Sequence, residues 1–222
     1  DQRCPKICYQ KKEDGLTVTA CYGIDGQIYL PDELGGEPIT AIAPYAFSDR
    51  EPEEGDLCWM EEAAEALSGL HRLNMEAVTE IRLPRGVREI GRYAFYRCRN
   101  LRKLVLSDAL REIGGGALTG CRIREVEIHF ANGEQSALPS ILDEMRYRIL
   151  ARLYYQEGKT AQVLFPEHYE EAVENTPARI LYTSHHGAGG YYRQCFYNRA
   201  LDYGKYDELL PRAIAEESEE TV

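Results

Sequence analysis

Between Val78 and Ile128 the apolar positions return at a fixed interval. Three segments read apolar-x-x-apolar-x-apolar: Val78, Ile81 and Leu83; Leu101, Leu104 and Leu106; Ile123, Val126 and Ile128. The first two start 23 residues apart and the last two 22. A second set keeps the same interval, Ile90, Ala94, Phe95 and Cys98 returning as Ile113, Ala117, Leu118 and Cys121. Residues two apart on a strand share a face. Leu104 and Leu106 are therefore expected to point inward, with Leu101 filling the corner and the Ile113–Cys121 set returning along the opposite wall. One such unit cannot bury its apolar side, whereas stacked neighbours can. The pattern predicts a short solenoid of about four coils.

The flanking patterns predict other elements. Leu16–Cys21 alternates and is β-branched, Gly23 and Gly26 punctuate it, and Gln27–Leu30 follows, which predicts a hairpin capping the first coil. Residues 1–8 read as a loose head. Ile39, Ile42, Ala46 and Phe47 complete a first coil. Residues 48–75 then interrupt the repeat, and Ile42 to Ile90 spans 48 residues, close to two periods, as if one coil had been remodelled. Trp59, Ala63, Leu67 and Leu70 fall at helical spacing, predicting a helical insertion behind the acidic loop Glu51–Asp56.

Beyond Ile128 the interval is lost. Ser136 is placed to cap a helix carrying Leu138, Ile141, Leu142 and Met145, expected to close the open end of the stack. Strands are predicted at 147–155, 161–165 and 179–183, and helices at 166–173, 191–198 and 206–215. The reading is a mixed α/β chain: a solenoid over 9–131 with its insertion at 48–75, a small α+β domain over 132–216, and flexible ends at 1–8 and 217–222.

The residues also point to a family. The string from Ile81 through Pro84, Ile90-Gly91, Ala94-Phe95 and Cys98 resembles the BspA-like (type 5) leucine-rich repeat. Leu104–Cys121 is similar again, with Ser107 in place of proline and Leu118 in place of phenylalanine. Ile28–Pro31 and Pro38–Phe47 give a third match. The resemblance covers roughly residues 9–130 and implies a leucine-rich-repeat solenoid. It also implies adhesion and protein contact, commonly at the bacterial surface. Residues 132–216 are similar to C-terminal modules of bacterial repeat proteins of unassigned role, which implies no mechanism.

Charge changes the picture in one place. The chain carries a net charge of −11, yet between Arg82 and Arg124 eleven Lys and Arg stand against Glu89, Asp108 and Glu112. This strip is a candidate for an acidic partner or a polyanion. Against that, the rest of the chain is acidic, repels nucleic acid and can pair with the strip itself.

Seven cysteines is an odd count. Cys98 and Cys121 hold equivalent repeat positions and are expected as buried small hydrophobes. Cys21, Cys58 and Cys195 read as isolated, and a Cys4–Cys8 zinc half-site lacks two further ligands. The odd count points to a reducing compartment, the cytoplasm. Residue 1 is Asp rather than Met, and a removed signal peptide would instead place the protein at the cell surface or outside the cell. No run of 18 apolar residues occurs, so no membrane-spanning helix is expected.

Ten of the sixteen tyrosines fall between 147 and 206, a residue type suited to protein contact. The candidate partner-binding residues are Arg92, Arg97, Arg99, Arg102, Trp59, Tyr191, Tyr192 and Tyr197. No residue pattern calls for a cofactor or a metal, no catalytic set is found, and nothing specifies an oligomeric state. The expected function is a non-enzymatic protein-interaction scaffold. The alternatives are an enzyme or small-molecule sensor built around His185, His186 and Cys195, and polyanion binding by the arginine strip.

Overall fold

The structure is a computed structural model. It describes residues 4–62, 69–133, 135–145 and 147–165, together with the backbone of 177–184, 190–191 and 195–198. The chain divides into two compact units, Asp1–Arg122 and Ile123–Val222.

The first unit opens with β1 (Lys6–Lys12) and β2 (Gly15–Gly23), followed by β3 (Gln27–Tyr29), β4 (Glu33–Leu34) and β5 (Glu37–Ile42). The insertion carries β6 (Leu57–Met60) and β7 (His71–Arg72). Then come β8 (Glu80–Arg82), β9 (Glu89–Ile90), β10 (Lys103–Ser107) and β11 (Glu112–Ile113).

Two parallel ladders form the walls of a β-solenoid. On one wall Ile28 pairs with Ile81 and Ile81 with Leu104. On the other Ile42 pairs with Ile90 and Ile90 with Ile113. All of these are fully buried except Ile113, which is half-buried at the end of its ladder. The fixed interval therefore does what it predicts: equivalent aliphatic side chains lie over one another and share one dry interior. At the corner Phe47 stacks on Phe95 with ring centroids 4.9 Å apart and planes 4° from parallel, and Leu118 continues the buried series.

The glycine after each isoleucine has a packing reason. A Cβ on Gly91 would stand 2.4 Å from the backbone nitrogen of Pro44, and one on Gly114 2.3 Å from that of Arg92. The main chain of the preceding turn fills the space a side chain would need. Gly91 N–H donates to Ile42 C=O and Gly114 N–H to Ile90 C=O, both at 2.8 Å. In the first turn this position is Ala43, whose N–H donates to Val18 C=O on β2. There the hairpin, not another turn, lies beneath.

Three expectations are corrected in this unit. First, the capping hairpin is built from β1 and β2, paired antiparallel from Lys6↔Tyr22 to Lys12↔Gly15. Residues 6–8 are therefore strand rather than loose head, and residues 27–29 belong to the first turn.

Second, no coil has been remodelled. The first turn lies directly against the second, since Ile28 faces Ile81 and Ile42 faces Ile90. The insertion leaves the stack and comes back where it left: Met75 N–H donates to Phe47 C=O at 2.8 Å, and Asn74 Nδ2 donates to Ser48 C=O at 2.9 Å.

Third, the insertion is not helical where it is described. Leu57–Met60 is a strand, antiparallel to β1, with Trp59 opposite Ile7. β7 pairs with β2 through Tyr22↔Arg72. Four residues are too few for periodicity to separate strand from helix. The free edge of β1 supplies backbone partners that a solitary helical turn lacks. Ala63 and Leu67 lie outside the described residues.

The second unit contains β12 (Glu125–His129), α1 (Leu138–Glu144), β13 (Ile149–Tyr154), β14 (Thr160–Phe165), β15 (Pro177–Ser184), β16 (Gly190–Tyr191) and β17 (Cys195–Asn198). β12 and β13 are parallel, with Val126 beside Ala151 and Ile128 beside Leu153, and α1 lies in the connection. The N-cap of α1 is Ala137, without a side-chain capping bond, rather than the expected Ser136, whose Oγ accepts from Leu138 N–H at 3.2 Å one residue earlier. Leu138, Ile141, Leu142 and Met145 are buried.

β13 and β14 alternate buried and half-buried residues, as strands with one covered face do. The strands predicted at 147–155, 161–165 and 179–183 are present. The helix predicted at 191–198 is not: β16 and β17 both pair antiparallel with β15, Cys195 opposite Ile180. Phe196 and Tyr197 favour a strand, and β15 offers an edge to pair with. The helices predicted at 166–173 and 206–215, and the tail 217–222, lie outside the described residues. Among the described residues α1 is the one α-helix, so these residues form a β-solenoid and strands rather than the expected mixed α/β fold. No described helix is long and apolar enough to cross a membrane.

Candidate functional surface

The chemistry of the first unit gathers at the corner that follows β5, β9 and β11. At this corner equivalent positions of the three turns lie in the left-handed region, Tyr45 at φ 60°, Tyr93 at φ 54° and Gly116 at φ 70°, and Arg97 joins them at φ 64°. Glycine is at ease there, whereas a tyrosine costs about 1–3 kcal/mol. What the two tyrosines gain is a stack, with ring centroids 5.3 Å apart and planes at 17°. Tyr93 continues onto Gly116, where a Cβ would stand 2.3 Å from its ring. Tyr96 meets Tyr93 edge-on at 5.4 Å, and the Arg97 guanidinium lies over the Tyr96 ring at 5.2 Å. Tyr93 remains 37% exposed, and Arg92 and Arg97 are exposed beside it.

Beneath this edge the cysteines are structural. Cys98 Sγ donates to Phe47 C=O at 3.2 Å, and Cys121 Sγ donates to Phe95 C=O at 3.1 Å. Each thiol thus caps a carbonyl of the preceding turn. Burial pushes the Cys98 thiol well up, so it stays protonated and inert. Its position in the repeat predicts the burial; the sequence does not signal the hydrogen bond.

The arginine strip does not stand free as a whole. Arg88 pairs with Asp14 at 2.8 Å, Arg85 with Asp32 at 3.4 Å, Arg99 with Glu76 at 3.5 Å and Lys103 with Glu80 at 3.6 Å. Arg102 is half-buried and donates to Arg99 C=O. Arg92 and Arg97 make no ion pair among the described residues. The candidate set therefore separates. Arg92 and Arg97 join the tyrosine corner, Arg99 and Arg102 are engaged within the chain, and Trp59 lies half-buried on β6 between Cys58 and Met60. Tyr45, Tyr93 and Tyr96, absent from the sequence-based candidates, belong with Arg92 and Arg97. The recurrence of tyrosine at Tyr45 and Tyr93, equivalent positions of two turns, was the available signal.

In the second unit Tyr191 lies on β16 and Tyr197 on β17. Tyr192, His185 and His186 lie outside the described residues, and only the backbone of Cys195 is described. His129 stacks on Tyr154 at 4.8 Å and meets Glu127 at 2.7 Å. Among the described residues no three His, Cys, Asp or Glu side chains come together as metal ligands would.

A second polar cluster ties the insertion to the hairpin. Arg50, buried apart from 9% of its side chain, meets both Asp56 oxygens at 2.8 and 3.0 Å. Gln10 Nε2 and the Glu53 N–H also donate to Asp56, at 2.9 and 3.0 Å. The Arg50 hydrogen bonds, helped by these two, hold the Asp56 carboxyl well below the usual carboxylate range.

Comparison with known proteins agrees with the ladders. Residues 73–139 match the family model described as BspA type Leucine rich repeat region (6 copies). No curated protein and no solved structure matches the chain. The matched residues supply the second and third turns, and the unmatched first turn lies on them in the same register. With aliphatic rungs, a glycine at each close approach and thiols capping carbonyls across turns, residues 73–139 form a BspA-type leucine-rich-repeat region.

Proposed function

We propose that the protein is a non-enzymatic scaffold that binds a protein partner through the tyrosine corner of its solenoid, with Arg92 and Arg97 flanking the rings. One observation carries this reading: two successive turns hold a tyrosine in left-handed backbone and leave the stacked Tyr93 ring exposed beside guanidinium groups that make no ion pair among the described residues. Strain kept in the backbone for the sake of an accessible side chain argues for use of that side chain. Tyrosine and arginine are the residue types that most often dominate protein interfaces. A partner suited to this corner carries carboxylates for Arg92 and Arg97 and a flat apolar or aromatic element for Tyr93.

The tyrosine-rich stretch containing Tyr191, Tyr192 and Tyr197 is proposed as a second contact surface on composition alone. Polyanion binding is less well supported, because four cations of the basic strip already face the chain's own carboxylates.

The test compares proteins retained from bacterial lysate and host-cell extract by immobilised wild type and by a Tyr93→Ala/Arg97→Glu variant. A species held by wild type and lost by the variant, with circular dichroism unchanged, supports the reading. An identical retained set sinks it, as does retention on heparin with steep salt dependence in place of protein binding.

A further inference from the structure

The insertion brings two thiols together that the sequence keeps apart. Cys8 on β1 and Cys58 on β6 are directly opposed across the antiparallel pair. Their sulfurs stand 2.7 Å apart, inside the roughly 3.5–4.0 Å of ordinary non-bonded carbon contact. Directly opposed residues in such a pair have Cα atoms about 4.5–5.5 Å apart, within the about 4.4–6.8 Å that a disulfide spans. The two thiols differ in access, since Cys8 is buried and Cys58 exposed. Cys4 and Cys21 form a neighbouring, buried thiol pair on the same hairpin, with Cys21 hydrogen-bonded to Cys4. Cys4 Sγ donates to Lys6 and Tyr22 carbonyls at 3.6 and 3.8 Å, and both residues are buried.

We propose that Cys8 and Cys58 are a redox site: a small-molecule disulfide oxidises them to a reversible cross-strand disulfide that fastens the insertion onto the N-terminal hairpin.

The accessible Cys58 loses its proton to solvent, and its thiolate attacks one sulfur of the small disulfide. A protein mixed disulfide forms and one small thiol leaves. Cys8 then loses its proton, attacks the Cys58 sulfur and expels the second small thiol. One small disulfide is reduced to two thiols, and two protein thiols are oxidised to one disulfide. The order follows from access. Burial, reinforced by the neighbouring Cys58, pushes the Cys8 thiol up to about 12, so Cys8 resolves rather than initiates.

The consequence is mechanical. In the reduced protein β6 is held by the four-residue pairing with β1 and by the Arg50–Asp56–Gln10 cluster. The disulfide closes the chain between two residues separated by 50 positions, which constrains the unfolded chain strongly.

The test uses the full chain, incubated with oxidised glutathione or with a reductant, then alkylated, digested and examined by mass spectrometry. A linked Cys8–Cys58 peptide is expected after oxidation, with Tm raised by about 5–10 °C over the reduced protein. Cys58→Ser, an exposed substitution that leaves the fold in place, is expected to lose both the link and the Tm response. The proposal is overturned if both thiols remain alkylatable after oxidation, if Cys58 links to another cysteine or stays as a glutathione adduct, if the link leaves Tm unchanged, or if Cys58→Ser keeps the response.

Discussion

Ile90 lies beside Ile42 although the whole insertion separates them in the chain. Trp59, much closer to Phe47 in sequence, leaves the stack and settles opposite Ile7. The repeating turns and the insertion occupy the same unit and are held in different ways. In the turns, each residue meets its own equivalent one turn away, so a single set of contacts is used repeatedly: aliphatic rung, aromatic stack, glycine approach and thiol cap. In the insertion nothing recurs. It is fixed by two short strands borrowed from the hairpin edges and by one carboxylate that gathers three donors. Repetition gives redundancy and a dry interior; the insertion depends on a few polar contacts near water.

That contrast can be broken at its strongest point first. Phe95→Ala removes a fully buried ring stacked on Phe47 and is expected to cost about 3–5 kcal/mol, measured by denaturant unfolding. Trp59→Ala, on a half-exposed strand, is expected to cost about 1 kcal/mol. Equal losses would mean that the insertion shares the solenoid's core after all.

Gly91→Ala comes next, at about 2–3 kcal/mol, because the obstacle is the Pro44 backbone and not a side chain that can swing away. A thermal melt unchanged from wild type would show that the turns are spaced more loosely than the ladders imply.

Asp56→Asn probes the other side of the comparison. Losing a hydrogen-bonded charge is expected to cost about 1.5–2 kcal/mol at neutral pH. The folded carboxyl titrates below its unfolded value, so its contribution is complete above roughly pH 4–5 and disappears as pH falls through the folded value. The stability gap between wild type and Asp56→Asn should therefore narrow between about pH 5 and pH 2. A gap independent of pH would remove the charge from the explanation.

The smallest expected effect is Arg99→Ala. Both partners of its pair with Glu76 are more than half exposed, at 63% and 61%, and the change in stability should stay within about 0.5 kcal/mol. A larger loss would mean that the basic strip holds the turns together.

The sequence carried the rungs almost residue for residue. Ile28, Ile81 and Leu104, then Ile42, Ile90 and Ile113, are the aliphatic positions that recur, and they are the ones that pair. Cys98 and Cys121 were legible as buried for the same reason. The insertion was legible only as an interruption. Its apolar residues fit a helical spacing because four residues of strand impose no period of their own. The run at 191–198 failed in the same way: whether Phe196 and Tyr197 lie in helix or strand depends on β15, which the local residues do not encode. The tyrosine corner was half legible, since Arg92 and Arg97 stood out by charge while Tyr45 and Tyr93 were hidden as single members of a repeat.

By itself the sequence determined the solenoid, because a fixed interval of apolar residues has one economical way to leave water: stacking like on like. Tertiary structure alone decided where the insertion goes, which tyrosines meet which arginines, and that Cys8 faces Cys58. Those outcomes depend on strand edges and chain ends meeting across long stretches of sequence, and such encounters are set by the fold as a whole rather than by any local pattern.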